Sequence, residues 1–273
     1  MNTRSGRRAG LIVAAIVVTV LTGSCAQQTD PVAGIGPTSS TNPLIEIIDP
    51  EGEPSSPTAG GDGSAVPSSR PHTVVAEATV SEIVVRSAPD LSAEPVTTLV
   101  HPTPTGSPLV FRAVDGGAVG QEWIDVYLPI EPNGSRGWVR RDEVVLSSNP
   151  YRIEIDRATY SLRAYNLDEL IVEATIAVGT GATPTPVGDF YLLELLAPPD
   201  PTGPYGPFAF GLSGFSEVLE EFGGADQAII GLHGTNDPTS LGTDVSHGCI
   251  RLENDVIEQL AQTLPLGTPV LIT

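Results

Sequence analysis

Short apolar runs that alternate with polar residues dominate the chain after residue 72, and Gly, Pro and Asn separate one run from the next. Alternation over about four to eight residues is the pattern of a half-buried β-strand. The first half contains six such runs, over residues 73–78, 83–86, 95–99, 109–113, 122–128 and 137–139. Because short strands at close spacing are typical of small barrels, we predict a small β-barrel over residues 73–147.

The second half, residues 150–273, carries further alternating runs and one helical pattern. Predicted strands cover residues 151–156, 160–165, 171–178, 190–195, 228–232 and 269–273. A helix is predicted over 255–263, with Asn254 as its N-cap and with Pro and Gly residues beyond its end. The stretch 197–215 holds too many Pro and Gly residues for a strand, and a loop this long in a compact domain is usually functional. The predicted fold class is mostly β, with an antiparallel β-sandwich as the second domain.

Residues 1–25 have the pattern of an export signal. Three arginines precede an apolar run at 11–21, which is shorter than the about 20 residues that a membrane span requires. Residues 26–72 are rich in Pro, Gly, Ser and Thr and lack a hydrophobic period. We therefore predict that this second segment is a disordered linker.

Charge and cysteine content narrow the possible partners. The sequence has 13 cations, all of them Arg, against 33 Asp and Glu residues, and its formal net charge is -20. Such a surface repels phosphate backbones, so we expect no nucleic-acid partner. The two cysteines are Cys25 and Cys249, and Arg251 is the single cation after Arg163. If the first cysteine is lipidated and the second is catalytic, no disulfide forms.

The stretch 233–251 combines the groups that nucleophilic catalysis requires. Cys249 is a candidate nucleophile and His233 a candidate base, separated by a segment long enough to fold back on itself. Gly248 leaves room beside the thiol, so the backbone N–H groups of Gly248 and Cys249 are candidates for an oxyanion hole. Because an acidic field raises the pKa of a thiol, protonated His233 and Arg251 are candidates to stabilise the thiolate.

Other interpretations of these residues stay open. A lone Cys is usually a small buried hydrophobic residue. The two His of this stretch, Cys249 and Asp244 are also ligand types for zinc, although their spacing fits no common zinc pattern. Arg251 is a candidate to hold a substrate carboxylate, and it is equally a candidate to form a structural pair with Glu253 or Asp255.

The stretch resembles the active-site signature of YkuD-type L,D-transpeptidases, in which a His and a spacer precede Ser or Thr, His, Gly, Cys, a hydrophobic residue and Asn or Arg. The matching residues are His233, Ser246, His247, Gly248, Cys249, Ile250 and Arg251. The resemblance implies that Cys249 is the nucleophile, that His233 is the general base and acid, and that the Gly234 carbonyl orients His233. It implies no metal and no organic cofactor, and it implies substrate contacts by three further signature residues, Ser246, His247 and Arg251. His247, beside the nucleophile, has the alternative role of only shaping the turn.

Two stretches of the N-terminal half resemble parts of bacterial envelope proteins. Leu-Thr-Gly-Ser before Cys25 resembles a lipoprotein box, in which the Cys is lipidated. Ordinary cleavage near Ala26, which leaves a secreted protein, is the alternative. Residues 83–89 and 131–139 resemble a bacterial Src-homology-3-like domain, and Asn-Gly in the second piece also fits a tight hairpin turn.

Two stretches of the second half resemble further parts of the YkuD-type domain. The Thr-Pro-rich sequence at 183–188 resembles a turn that precedes a strand in this family. The loop within 197–215 resembles the flap over the active site. This second resemblance makes Tyr205 and Phe208 candidate walls of the substrate channel, whereas the alternative is that both are packing residues of a static loop.

The resemblance implies an exported, lipid-anchored peptidoglycan L,D-transpeptidase at the outer face of the cytoplasmic membrane. Cys249 would attack a stem peptide, expel the terminal D-Ala and form a thioester that an amine of a second stem resolves. Peptidoglycan stem peptides are thus the expected donor and acceptor, and the N-terminal lipid is the expected membrane contact. Carbapenems are expected to acylate Cys249. The alternatives are an L,D-carboxypeptidase and a non-catalytic envelope lipoprotein whose barrel binds the wall.

Overall fold

A computed structural model of the protein describes residues 72–114, 121–221 and 227–273. The predicted signal peptide, the predicted lipidation site Cys25 and all but the last residue of the predicted linker lie outside these ranges. Within them, no helix combines the length and the apolar character that crossing a membrane requires.

Seven strands form the described part of the N-terminal unit. They are β1 (Thr73–Ala78), β2 (Glu82–Arg86), β3 (Pro95–Val100), β4 (Val110–Arg112), β5 (Trp123–Tyr127), β6 (Arg136–Arg140) and β7 (Val144–Asn149). Two antiparallel sheets, ordered β4-β1-β7 and β3-β2-β6-β5, share one apolar core that includes Ile83, Phe111 and Ile124. The six strands predicted here are present with ends within one residue, and β7 was not predicted. The resemblance to a Src-homology-3-like domain stays a prediction.

In the described residues of the C-terminal unit there are ten strands and one α-helix, with a short 3-10 helix at Pro238–Ser240. They are β8 (Tyr151–Asp156), β9 (Ser161–Asn166), β10 (Glu169–Thr175), β11 (Val178–Gly179), β12 (Gly188–Leu196), β13 (Ala209–Phe215), β14 (Ile229–His233), β15 (Asp244–Ser246), β16 (Ile250–Arg251), α1 (Asn254–Thr263) and β17 (Pro269–Ile272). Eight of the strands make one sheet, in the order β10-β9-β8-β17-β12-β13-β14-β16. The mostly-β fold class with a short helix is confirmed, while the pairs β8–β17, β14–β16 and β11–β15 are parallel within a domain predicted as antiparallel.

Strand β13 lies within the stretch 197–215, for which no strand was predicted. Its glycines mark close packing against β12 rather than a loop. A Cβ added to Gly211 would lie 2.8 Å from the side chain of Glu194, and one added to Gly214 would lie 2.5 Å from the ring of Phe190. Close approach of a neighbouring group is a recognised reason for Gly inside a strand. The expectation that this composition excludes a strand is therefore wrong for β13.

Helix α1 packs its apolar face on the sheet. Ile257 and Leu260 are fully buried in the core of the C-terminal unit. The residue before the helix is Glu253, which makes no side-chain capping bond, so the prediction that Asn254 is the N-cap is wrong. Oδ1 of Asn254 instead accepts a hydrogen bond from the N–H of Thr235 at 2.9 Å. The side chain is therefore directed toward the turn after β14.

The two units are joined without a spacer, because β7 ends at Asn149 and β8 begins at Tyr151. Asn149 is buried at this junction. Its amide nitrogen donates to Oγ1 of Thr268 at 3.0 Å, and its Oδ1 accepts the Tyr151 N–H at 2.9 Å. The two hydrogen bonds of the Asn149 side chain therefore fix the direct connection between β7 and β8.

Side chains from both units also meet beside the junction. The hydroxyl of the fully buried Tyr191, on β12, donates to the carbonyl oxygen of Tyr127, on β5, at 3.3 Å. The turn between β5 and β6 contributes Asn133, whose Nδ2 donates to the carbonyl oxygen of Phe215 at 2.9 Å and whose Oδ1 accepts the Phe215 N–H at 2.8 Å. The interface is therefore both apolar and specifically hydrogen-bonded.

Candidate active site

Parallel pairing of β14 and β16 brings the predicted nucleophile and base together. His233, the last residue of β14, lies opposite Arg251. Cys249 directly precedes β16, and its Sγ accepts a hydrogen bond from the N–H of Gly231 at 3.4 Å. A Cβ added to Gly231 would lie 3.5 Å from both Cys249 Sγ and His233 Cδ2. The thiol and the imidazole therefore both lie next to Gly231 on β14. This glycine is not part of the sequence motif.

A backbone contact fixes the tautomer of His233. The side chain is buried, and its Nδ1 lies 2.6 Å from the carbonyl oxygen of Gly234. Because a carbonyl oxygen only accepts hydrogen bonds, Nδ1 carries the proton and Nε2 has the free lone pair. Burial lowers the pKa of His233 to about 4, so the imidazole is neutral near pH 7. A neutral imidazole with a free Nε2 has the protonation state that a general base requires.

The thiol of Cys249 is also neutral at rest. Burial raises its pKa above the ordinary range, and the Gly231 N–H and the charge of Arg251 oppose that rise with smaller effects. Since burial also lowers the pKa of His233, a protonated imidazole beside a thiolate is not the resting state. Both shifts oppose the expected stabilisation of the thiolate by cationic His233, whereas the charge of Arg251 acts in the expected direction. The arrangement suits general-base catalysis, in which the proton leaves the sulfur as the sulfur attacks.

Ser246 shapes the nucleophile loop from within. The residue is buried, its Oγ donates to the Cys249 carbonyl oxygen at 2.5 Å, and the same Oγ accepts the Gly248 N–H at 3.1 Å. Both bonds lie inside the loop, so the observed role of Ser246 is structural, and its predicted contact with substrate stays a prediction. Gly248 is thereby engaged, whereas the Cys249 N–H has no hydrogen-bond partner in the described ranges. Of the two predicted oxyanion donors, the structure leaves Cys249 available. His247 is exposed beside them.

Thr185, in the Thr-Pro-rich turn, holds the same loop from the opposite side. It is only 1% exposed, and its Oγ1 donates to the Gly248 carbonyl oxygen at 2.8 Å and accepts the Gly179 N–H at 2.9 Å. Gly248 has a φ of +116°, and a Cβ there would lie 3.0 Å from Ile230. This backbone conformation favours glycine. The motif did not indicate this role for Thr185. The sequence feature that could have indicated it is a hydroxyl residue between two prolines.

Arg251 supplies positive charge next to the thiol. Its Nε is buried without a hydrogen-bond partner, and in the part of the chain that the structure describes it forms no ion pair with Glu253 or Asp255. The alternative of a structural pair with these carboxylates is therefore not realised there. The positive charge lowers the pKa of both Cys249 and His233. The positive charge of this guanidinium beside the site is suited to an anionic group of a ligand.

The loop before β13 covers the imidazole with one of its two predicted wall residues. The ring centroids of Tyr205 and His233 are 4.9 Å apart, with the planes inclined at 59°, and Tyr205 is 41% exposed. Phe208 instead packs against the core of the C-terminal unit, and its carbonyl oxygen accepts the Gly234 N–H at 3.3 Å. Tyr205 thus borders the site, whereas Phe208 fits the alternative of a packing residue.

A zinc site formed by the two His of the motif, Cys249 and Asp244 was the second interpretation of these residues. Among residues 72–114, 121–221 and 227–273, no group of three or more His, Cys, Asp or Glu side chains could hold a metal ion. Asp244 contacts Tyr160, whose pKa it raises through its negative charge.

Comparisons with known proteins agree with the geometry of the C-terminal unit. Residues 150–272 match the model of the YkuD family, the L,D-transpeptidase catalytic domain. YkuD of Bacillus licheniformis is 39% identical over 124 residues, which span 45% of this chain and 66% of that protein. YqjB of Bacillus subtilis is 38% identical over 137 residues, which span 47% of this chain and 73% of that protein. Both relatives bear the name L,D-transpeptidase.

The similarity covers only part of each protein. The chain spans about two thirds of the length of the first curated relatives that it matches. Among solved structures, Bd1075 of Bdellovibrio bacteriovorus is 29% identical over 45% of this chain and 48% of that chain, with a TM-score of 0.36. Family assignment therefore rests on the sequence matches to residues 150–272. Through this unit, the chain belongs to the YkuD-type L,D-transpeptidase family.

Proposed function

We propose that this protein is a peptidoglycan L,D-transpeptidase that joins stem peptides through a thioester on Cys249. The observation that carries the proposal is the pairing of Cys249, the residue before β16, with the buried His233 at the end of the parallel strand β14, where Nε2 of the imidazole is free to accept a proton. In the first half-reaction, Sγ attacks the carbonyl carbon at the L-centre of the diamino acid in a tetrapeptide stem. A C–S bond forms, the C–N bond to the terminal D-Ala breaks, and the thiol proton passes through His233 to the leaving amine.

The second half-reaction resolves the thioester. An amine of another stem attacks the thioester carbon, a C–N bond forms and the C–S bond breaks. The proton of the attacking amine passes through His233 to the sulfur, which restores the thiol. In both steps the Cys249 N–H donates to the developing oxyanion, because this amide has no other partner in the described ranges. Tyr205 borders the bound stem, and Arg251 binds one of its carboxylates.

We further propose that the enzyme acts outside the cell, anchored to the outer face of the cytoplasmic membrane by lipid on Cys25. The support comes from the sequence, where an apolar run follows three arginines and Leu-Thr-Gly-Ser precedes the cysteine. Peptidoglycan stems lie on that side of the membrane, so the proposed location and the proposed substrate are consistent.

Intact-protein mass spectrometry tests the proposed chemistry. The full chain is incubated with a purified tetrapeptide-stem fragment, and an amine-bearing acceptor fragment is added after the adduct has formed. We expect an adduct whose mass equals the donor without D-Ala and which persists until the acceptor arrives. The Cys249→Ala variant is the matched control and should form no adduct, since the loop loses only one sulfur atom and should keep its fold.

Each alternative gives a different result in the same experiment. Release of the tripeptide stem without acceptor would identify an L,D-carboxypeptidase, in which water resolves the thioester. Absence of both adduct and turnover in a folded protein would support a non-catalytic envelope protein. Turnover that survives in folded Cys249→Ala would assign the nucleophile to another residue.

A further inference from the structure

We propose that Asn254 is a positioning residue that orients His233 through the peptide unit between Gly234 and Thr235. The inference rests on the proposed function, because it concerns the orientation of the proposed base. It gives Asn254 a role other than helix capping, since Glu253 holds the capping position before α1 and Oδ1 of Asn254 accepts the N–H of Thr235.

One peptide unit connects the amide side chain to the imidazole. The oxygen of this unit, on Gly234, accepts the Nδ1–H of His233 at 2.6 Å, and its N–H, on Thr235, donates to Oδ1 of Asn254 at 2.9 Å. A peptide unit is planar, so fixing its N–H also fixes the direction of its C=O. Hydrogen bonds in series polarise one another, and the Asn254 bond therefore also makes the Gly234 oxygen a better acceptor.

Packing around Oδ1 of Asn254 indicates that its position is tightly specified. A Cβ added to either Gly206 or Gly234 would collide with this oxygen, and one added to Gly206 would also lie 2.7 Å from Cα of Gly234. Gly206 has a φ of +64° and follows Tyr205, the residue whose ring contacts His233. The oxygen therefore touches the backbone on both sides of the imidazole: the turn that carries the orienting carbonyl and the loop that carries the covering ring.

The support for this oxygen comes from a rigid element. Asn254 is the first residue of α1, and the buried Ile257 and Leu260 fix that helix against the sheet. Cγ2 of Ile257 would lie 3.2 Å from a Cβ on Gly234, so the helix also limits movement of the turn. His233 therefore keeps its orientation without a carboxylate partner, because Asn254 on the packed helix α1 holds the peptide unit that orients it.

Three substitutions separate the oxygen from the rest of the side chain. Asn254→Ala removes the acceptor, Asn254→Gln moves it by one methylene, and Asn254→Asp keeps an oxygen in place. Leu260→Val is the control, because it trims the buried face of the same helix without touching the turn. All are made in the full chain.

Two measurements that need no peptidoglycan report on His233. The first is the ¹⁵N NMR signature of its tautomer, assigned with a His233→Gln variant. The second is the rate of Cys249 alkylation by iodoacetamide from about pH 5 to about pH 9, because general-base assistance gives that rate a pH profile. Peptide mass analysis separates Cys249 from Cys25.

The wild type should show the pure Nδ1–H form. Asn254→Ala and Asn254→Gln should show a mixture of tautomers and alkylation that is slower on the order of 10- to 100-fold, since a misplacement of about 1 Å has effects of this size. Asn254→Asp and Leu260→Val should keep the tautomer and stay within about threefold in rate. If Asn254→Ala does not fold, the tautomer and the alkylation rate of Asn254→Gln test the inference.

The inference is overturned by a folded Ala or Gln variant that keeps the wild-type tautomer and a rate within about twofold. It is also overturned if Leu260→Val reproduces the tautomer change, because the effect would then follow stability alone. A protein that behaves as expected here but forms no stem-peptide adduct would refute the proposed function and leave the inference intact.

Discussion

Replacing Thr185 by Val should destabilise the nucleophile loop while preserving its shape. Val and Thr have nearly the same volume, so the substitution leaves no cavity. It removes the hydroxyl that donates to the Gly248 carbonyl oxygen at 2.8 Å and accepts the Gly179 N–H at 2.9 Å. Because the site is only 1% exposed, both backbone groups lose their partners out of reach of bulk water. The change therefore isolates two buried hydrogen bonds next to the thiol.

The expected magnitude follows from those two groups. A buried donor or acceptor without a partner costs about 1–3 kcal/mol. With partial relaxation of the turn, we expect the free energy of unfolding to fall by about 2–4 kcal/mol. Acylation of Cys249 should also slow by roughly 10- to 100-fold, because Gly248 sets the position of the residue that attacks.

Urea denaturation followed by circular dichroism measures the first effect, and mass spectrometry of the acyl adduct measures the second. Thr98→Val is the control, since Thr98 is exposed on β3 and its hydroxyl has no hydrogen bond to any described residue. This control should change stability by less than about 0.5 kcal/mol. If Thr185→Val differs from the wild type by no more than the control in both measurements, the two hydrogen bonds do not hold the loop.

Three further predictions concern the base, the covering loop and the anchor. Burial lowers the pKa of His233 to about 4, so between about pH 6.5 and pH 4 the unfolded chain binds a proton that the folded chain does not. Acidification through this range should therefore lower the free energy of unfolding by about 3 kcal/mol. Urea titrations should show this loss in the wild type, and a His233→Gln variant that loses as much would contradict the assignment. Tyr205→Ala should slow stem transfer, followed by chromatography, more than carbapenem acylation, followed by adduct mass. Phe208→Ala should chiefly lower the free energy of unfolding, by about 2–4 kcal/mol, which urea titration measures. Cys25→Ser should move the protein from membrane to medium without changing its rate on soluble fragments, and a wild type that already fractionates as soluble would rule out the anchor.

Alternation of apolar and polar residues was sufficient to find most strands, because most of them bury one face, although β3 was found and buries no residue. Three of the strands that were missed have features that alternation does not detect. In β13, Gly211 and Gly214 make room for the side chains of Glu194 and Phe190, so residues that weaken a strand in isolation serve packing here. Strands β15 and β16 have three and two residues, and their parallel partners lie far away in sequence. Such short segments have no periodicity to detect.

Chemical identity within the candidate site was easier to predict than protonation and access. The motif indicated a thiol, an imidazole and an orienting carbonyl, since these are residue types at fixed spacing. The count of charges suggested a cationic His233, but burial of the imidazole and of Cys249 has a larger effect than the surrounding charge. Ser246 was predicted to contact substrate and the Gly248 N–H to bind an oxyanion, and the structure shows a hydrogen bond between these two groups that the motif did not indicate. That distinction depends on which way a loop folds, which composition does not specify.

The N-terminal unit takes part in building the catalytic sheet. Asn133 pairs with both the N–H and the carbonyl of Phe215, as an adjacent strand would, at the end of β13. Strand β13 pairs in turn with β14, which carries His233. Tyr191 on β12 has no exposed surface, and its hydroxyl is satisfied by the carbonyl of Tyr127 in the N-terminal unit. Without that unit, a large aromatic side chain and a pair of strand-end backbone groups would lose their partners near the catalytic strand. The N-terminal unit is therefore a structural component of the catalytic half, and any contact that it makes with the cell wall would be additional to this role.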